Sequence, residues 1–456
     1  MKKELKPHQV IARDFLYSHA FAINSDSPGL GKTAETLAAV EKLYLEKKIQ
    51  TALVIVPCNM KLKNQWPQDI ENFTNLSYTI IKGDKKQRKT LWEENTVLKL
   101  VNYELVQQDW EYIQKGFDIV ILDEAHRIRS CSSKIGRKIK LIPRKIRWAL
   151  TATPLYNNAE DIFSIAEFLH PFFLGNYWSF RNTYMIIEKE SLLVWRNGKK
   201  IKISFNKIVG YKNLDKLSII LSPIMLRRDF DDAGIELPEK IVRDYNIELS
   251  AEQKIVYNNI KKEMIEKIKR NESVLGEIIH LRFACDGLNG GVKIPNSYKL
   301  DELLKIIKDN PNRKIIVFTN WVQTLLLMKS EIESKTNILC SNIYGELNAK
   351  ERQEEIDKFE NNDKYQILLS SPSAEEGLNL QSKCSMMINY DLPWNHSRLL
   401  QRIGRIHRIG QTNKVLVYNF ITKDTIEERV NELILQKKNL SETILDKNPK
   451  LLEQVI

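Results

Sequence analysis

The sequence predicts an α/β protein: two lobes of mostly parallel sheet with helices on both faces, and a helical insertion after the first lobe. Three observations predict it. At 456 residues the chain is too long for one ordinary core. Short apolar runs alternate with amphipathic stretches, as parallel strands alternate with crossover helices. That alternation breaks at about residue 155 and resumes at about 298.

In the first lobe, drawn as 1–170, the strand candidates are TALVIVP (51–57), FDIVILDE (117–124) and RWALTATP (147–154). TAETLAAVEKLYLEKK precedes them and reads as a helix, with Leu37, Val40 and Tyr44 on one face. The insertion, 171–297, holds long charged helical segments such as AEQKIVYNNIKKEMIEKIKR. Within it, LLVWRNGKKIKISF alternates around Asn197-Gly198, a strong hairpin signal. The second lobe, 298–456, brings KIIVFTN (314–320), YQILLSSPS (365–373) and CSMMINYDL (384–392), then the helical tail TIEERVNELILQKKNLSETIL.

Hydrophobic residues make up 43% and charged residues 28%, the balance of a globular protein rather than a disordered one. No apolar run approaches the ~18 residues a membrane span needs. MKKELKPHQV has no apolar signal core, so the expected location is the cytoplasm, nucleoid-associated or viral in an infected bacterium. Cys58, Cys131, Cys285, Cys340 and Cys384 form no C-x-x-C pair, which argues for buried thiols over zinc or disulfides. The net charge of +12 suits a polyanionic partner.

Four motifs carry chemistry. SDSPGLGKTAET places a glycine-rich turn before a helix, where backbone N–H groups and the helix dipole hold phosphates. Lys32 would reach the β/γ-phosphates and Thr33 would ligate Mg²⁺; a surface turn capping a helix is the alternative. DIVILDEAHR follows, with Asp123 and Glu124 emerging at a strand's C-terminal end, where open α/β sheets bind ligands. Asp123 can hold Mg²⁺ and Glu124 can deprotonate water. LTATP sets Thr151 and Thr153 at another strand end. LLQRIGRIHRIGQ repeats arginine at 402, 405 and 408, suited either to a nucleotide's phosphates or to a nucleic-acid backbone.

In that order, GLGKT, DEAH, TATP and QRIGRIHRIGQ resemble helicase superfamily two, and within it the SWI/SNF-type DNA-dependent ATPases. The resemblance runs from about residue 5 to 435. It includes LKPHQVIARDFL, VIVPCNMKLKNQW, LVNYEL, TPLYNNAEDIFSIAEFLHP, IMLRRDFDDAGIELPEK and EEGLNLQ. Ser27-Pro28 departs from the acidic–Met pair commoner before GLGKT.

The resemblance implies two RecA-like lobes closing on ATP and Mg²⁺, and a motor tracking along double-stranded DNA without lasting strand separation. Gln9 would read adenine, with Gly29, Gly31, Lys32 and Thr33 at the phosphates and Thr33 and Asp123 on the metal. Glu124 would be the catalytic base, Arg405 and Arg408 the arginine fingers, and Gly377 and Gln401 the second lobe's link to nucleotide. Lys61, Arg127 and Thr151 would face nucleic acid. The alternatives are a strand-separating helicase and a slowly hydrolysing ATP-gated clamp.

Overall fold

Runs of aliphatic and β-branched residues form the strands of two parallel sheets, seen in a computed structural model that describes residues 2–57, 61–155, 158–196, 199–270, 272–372 and 378–445. Two compact units result. The first is Met1–Ile186 with Val209–Glu236 and Lys437–Ile456; the second is Ile187–Ile208 with Leu237–Gln436.

The first unit opens with helix α1 (Pro7–Ser18), strand β1 (Phe21–Asn24) and helix α2 (Lys32–Leu45). Strands β2 (Ala52–Val56), β3 (Tyr78–Ile80), β4 (Leu98–Asn102), β5 (Phe117–Asp123) and β6 (Arg144–Leu150) follow. β7 (Met185–Arg196) and β8 (Lys199–Tyr211) form a separate two-stranded sheet around the expected hairpin turn. The turn itself, Asn197-Gly198, lies outside the described residues. β9 (Met225–Leu226) then returns to the first sheet, whose order is β3-β4-β2-β5-β6-β1-β9 with every pairing parallel. All five residues of β2 are buried, as expected of a central strand covered on both faces. Trp66, Trp148, Val54 and Ile121 lie in the core beneath α2.

This topology positions the motifs. Parallel strands send all their C-terminal ends to one edge of the sheet, and β5, β6 and β1 are consecutive neighbours. DEAH, TATP and GKT therefore leave the same edge side by side, with β1 and β5 roughly 10 Å apart at two strand spacings.

In the second unit, β10 (Lys240–Ile247) precedes a small antiparallel pair, β11 (Leu288–Asn289) and β12 (Val292–Lys293). β13 (Ile315–Phe318), β14 (Leu339–Ile343), β15 (Tyr365–Ser370), β16 (Met386–Asn389) and β17 (Val415–Thr422) complete a second all-parallel sheet, order β10-β17-β16-β13-β15-β14.

The six strand candidates and the helices read from the sequence all form. β1, β3, β4, β9, β10, β11, β12, β14 and β17 are not among those candidates. β1 and β9 are short, and β10 exposes charged residues because it is an edge strand. Leu37 and Val40 are buried as expected, but Tyr44, near the end of α2, is 39% exposed. Cys285, Cys340 and Cys384 are buried free thiols, Cys131 is half-buried, and Cys58 lies outside the described residues. No helix among the described residues is long and apolar enough to cross a membrane.

Candidate active site

β1 ends at Asn24, and residues 25–31 turn the chain into α2. Two glycines make the turn: Gly29 has φ 100° and Gly31 φ 103°, a region that side chains avoid. A Cβ on Gly31 would also collide with Gln9 Nε2. Gln9 therefore sits directly against the loop, its Nε2 donating to the Leu30 carbonyl at 3.2 Å. His8 Nε2 lies 3.0 Å from the same oxygen.

Lys32 folds back on the loop, donating to the carbonyls of Asp26 and of Ser27, the latter at 3.3 Å. Burial lowers its pKa, against the pull of Glu124, Asp26 and Glu35. Thr33 is half-buried in the first turn of α2. Behind the loop, Asn24 Nδ2 donates to Glu35 at 2.7 Å, and the Arg228 guanidinium grips Asp26. Burial, with Asp26 nearby, pushes the Glu35 carboxyl up to about 8.

At the end of β5, Asp123 is held three ways. Trp66 Nε1 donates to Oδ2 at 3.1 Å, Lys61 Nζ lies 3.2 Å from the same oxygen, and the Tyr103 hydroxyl donates to the main-chain carbonyl at 2.9 Å. Glu124 comes next with φ 51° and ψ 55°, a left-handed conformation costing a non-glycine residue about 1 kcal/mol or more. That turn separates its side chain from the strand direction. Its Oε1 is 3.1 Å from Lys61 Nζ and its Oε2 is 3.4 Å from His126 Nδ1. Burial alone would raise the Glu124 pKa; Lys61, His126 and Lys32 together hold it well below the carboxylate range. His126 Nδ1 also lies 3.4 Å from Thr151 Oγ1 at the end of β6. A carboxylate just past the end of one strand is thus linked to a hydroxyl just past the end of its neighbour.

In the second unit the three arginines of QRIGRIHR do different things. Arg402, on the helix His396–Ile403, is 0% exposed and ties the ends of β16 and β13 together. Its Nη1 donates to Asn389 Oδ1 and the Asp391 carbonyl, both at 3.1 Å, and its Nη2 to Asn320 Oδ1 at 3.2 Å. Arg405 and Arg408 are half-buried and point to the GLNLQ stretch instead. Arg405 Nη1 donates to the Leu378 carbonyl at 3.4 Å and Arg408 Nη1 to Asn379 Oδ1. The rest of HRIGQ knits the fold: His407 Nε2 lies 3.0 Å from the Pro238 carbonyl, and buried Gln411 donates to the carbonyls of Cys384 and Ile406.

A model described as the SNF2-related domain matches residues 17–289, and one for the helicase conserved C-terminal domain matches residues 298–410. The chain belongs to the SNF2-related family. An uncharacterized ATP-dependent helicase of Mycoplasma genitalium is 31% identical over 92% of this chain and 40% of its own length. The uncharacterized ATP-dependent helicase YqhH of Bacillus subtilis is 27% identical over 95% of this chain and 78% of its own. The SWI2/SNF2 ATPase core of Sulfolobus solfataricus, solved with double-stranded DNA, is 26% identical, with a TM-score of 0.47 over 100% of this chain and 96% of that one. The chain thus spans about two fifths of its Mycoplasma relative's length.

Within this SNF2-related chain the first unit brings together Gln9, Gly29, Gly31, Lys32 and Thr33 on one loop and helix start, with Asp123 and Glu124 at the same sheet edge. Arg405 and Arg408 share a neighbourhood in the second unit, with Gln401 half-buried on the preceding helix. Gly377 lies outside the described residues. Lys61 and Thr151, expected at nucleic acid, are both buried. Lys61 is 8% exposed with its ammonium drawn between the two carboxylates, and Thr151 is 0% exposed beneath His126. Arg127 is exposed, 3.8 Å from Glu104.

Trp66, Tyr103, His126 and Arg228 are site residues to which sequence reasoning gave no role. Each stands inside a quoted motif, so the signal was its place in the motif. The partner it meets is 57, 20, 25 and 202 residues away respectively.

Proposed function

We propose that the chain is an ATP-dependent motor that hydrolyses ATP and moves along double-stranded DNA. The observation that carries this is the grouping of Lys32 and Thr33 with Asp123 and Glu124 at one sheet edge, in a chain of the SNF2-related family. Gln9 reads adenine beside the loop, Lys32 turns from its loop carbonyls to the β/γ-phosphates, and Glu124 takes the proton of the attacking water. Arg405 and Arg408 stabilise charge on the transferring phosphoryl group, and Gly377 and Gln401 couple to it.

The donors fit Mg²⁺. The Thr33 hydroxyl and the Asp123 carboxylate are hard oxygens, and a pair of them suits an ion that keeps several waters and takes phosphate oxygens. When bound, the ion neutralises phosphate charge. That Trp66 and Lys61 fix the orientation of the Asp123 carboxylate supports this role.

In sequence we draw residues 1–170 as the ATP-binding lobe, 171–297 as the insertion and 298–456 as the second lobe, with Val209–Glu236 and Lys437–Ile456 falling in the first unit and β10 joining the second sheet. A net charge of +12 and family membership support duplex DNA as the track, with Arg127 as the exposed candidate contact. The cytoplasm is the expected compartment. The test measures hydrolysis with duplex DNA, single-stranded DNA and RNA, alongside strand displacement. Stimulation by duplex without displacement is expected; stimulation by RNA alone overturns the duplex track, and robust unwinding overturns the non-separating motor.

A further inference from the structure

The loop before α2 lacks the first glycine of the usual phosphate-loop pattern, and Asp26 stands in its place. Asp26 is 0% exposed, so its carboxylate needs a partner. The partner comes from 202 residues away: Arg228 Nε lies 3.3 and 3.2 Å from the two oxygens of Asp26, and Arg228 Nη2 closes the fork on Oδ2. Nη1 donates to the His8 carbonyl at 2.8 Å, next to Gln9, while Glu35 Oε1 of α2 lies 3.7 Å from Nη2. One buried guanidinium therefore joins the segment that carries Gln9, the loop and the helix that carries Lys32 and Thr33.

The backbone around it forms a rail. Ile23 N donates to Ile224 O at 2.7 Å, Ser25 N to Leu226 O at 2.7 Å and Ser27 N to Arg228 O at 2.9 Å. This alternation prolongs the β1–β9 ladder into the first half of the loop. It occupies the Ser27 N–H, and Pro28 has none. Donors for phosphate therefore begin at Gly29. The carbonyls that hold Lys32, those of Asp26 and Ser27, belong to the railed segment.

We propose that Arg228 is a positioning residue of the nucleotide site. By gripping Asp26 and the His8 carbonyl it fixes the loop and the Gln9 segment in one register, so nucleotide affinity depends on a side chain that touches no nucleotide. This rests on the ATP reading above. Losing such a supporting contact typically weakens a site by about 10- to 100-fold.

The experiment titrates the full chain with Mg²⁺ and a fluorescent N-methylanthraniloyl-ATP, with steady-state KM and kcat and thermal melts alongside. The variants are Arg228→Met, Arg228→Lys, Asp26→Asn, the Arg228→Met/Asp26→Asn double and, as the reference for a lost phosphate contact, Lys32→Ala. Arg228→Met and Asp26→Asn are each expected to raise Kd and KM by about 10- to 100-fold while kcat at saturation stays within about threefold. The double variant should be no weaker than the worse single one, since both break one contact. Arg228→Lys should recover part of the loss.

If Arg228→Met does not fold, Arg228→Lys decides: it keeps the charge and loses the fork, so KM must still rise. An unchanged KM in the folded variant, or a fall in kcat alone, overturns the inference. A wild type that binds the analogue no better than Lys32→Ala overturns the nucleotide reading and this inference together. A wild type that binds well while Arg228→Met binds equally overturns this inference alone.

Discussion

Trp66 Nε1 donates to Asp123 Oδ2 across 3.1 Å, joining the last residue of one motif to the acid of another. The indole is 0% exposed, so no water competes for that oxygen from its side. Trp66→Phe keeps most of the packing and removes the donor. A hydrogen bond to a charged group is worth about 1.5–3 kcal/mol, and stability should fall within that range in urea unfolding. Because the bond orients the carboxylate proposed to hold Mg²⁺, the Mg²⁺ concentration for half-maximal hydrolysis should rise by about tenfold or more. Lost stability with an unchanged Mg²⁺ requirement would leave Trp66 a core residue only.

Lys32 and Glu124 should separate binding from chemistry. Lys32→Ala removes the charge proposed to turn from the loop carbonyls to the phosphates and should weaken nucleotide binding. Glu124→Gln keeps shape but cannot accept a proton, and should lower kcat by about 10²–10⁴ with binding retained. Its left-handed backbone is tolerated by an amide as by an acid, but the lost pairing with Lys61 and His126 should lower the melting temperature, so binding and turnover are compared well below it. Equal losses of affinity in both variants would contradict the assigned roles.

The arginines of QRIGRIHR should divide in the same way. Arg402 donates to three groups with no exposure, and Arg402→Ala strands buried polar partners, at a cost of about 3–5 kcal/mol in stability. Arg405→Ala and Arg408→Ala should melt near the wild type yet lower turnover by about 10³–10⁵, sparing ATP binding. Melting curves and nucleotide titrations together distinguish the classes. An Arg405→Ala that unfolds, or that loses affinity in step with rate, would remove it from the catalytic set.

The strands legible in the sequence were those with long apolar runs, such as FDIVILDE, because burial on both faces leaves an unbroken pattern. β1, with four residues, and β9, with two, carry too little pattern to be read alone, and β10 hides its register behind exposed charges. Contiguous site motifs were equally legible: Gly31, Lys32 and Thr33 need only their own loop. What was not legible depends on partners brought together by the sheet order. Lys61 is adjacent in sequence to nothing acidic, and only the neighbouring positions of β2 and β5 bring it to Asp123. Arg228 meets Asp26 because β9 pairs with β1, a pairing no local spacing encodes.

Glu35 gives the loop a pH signature. Its folded pKa, pushed up to about 8 by burial and then by Asp26, lies above the about 4.3 of an exposed glutamate. Between those values the folded chain holds a proton that the unfolded chain has released. Stability therefore falls as pH rises through that window and levels off above about 8, a change of about a few kcal/mol. Asn24, Arg228 and Lys32 favour the ionised form and limit the effect. His8, whose pKa burial lowers, acts in the opposite sense below about 6.5, so the comparison must be made against a variant. Glu35→Gln retains an acceptor for Asn24 and carries no titrating proton. Urea unfolding from pH 5 to 9 should show the wild type losing stability relative to Glu35→Gln as pH rises. Parallel profiles for the two proteins would mean that Glu35 stays ionised throughout, with Arg228 shared between two carboxylates.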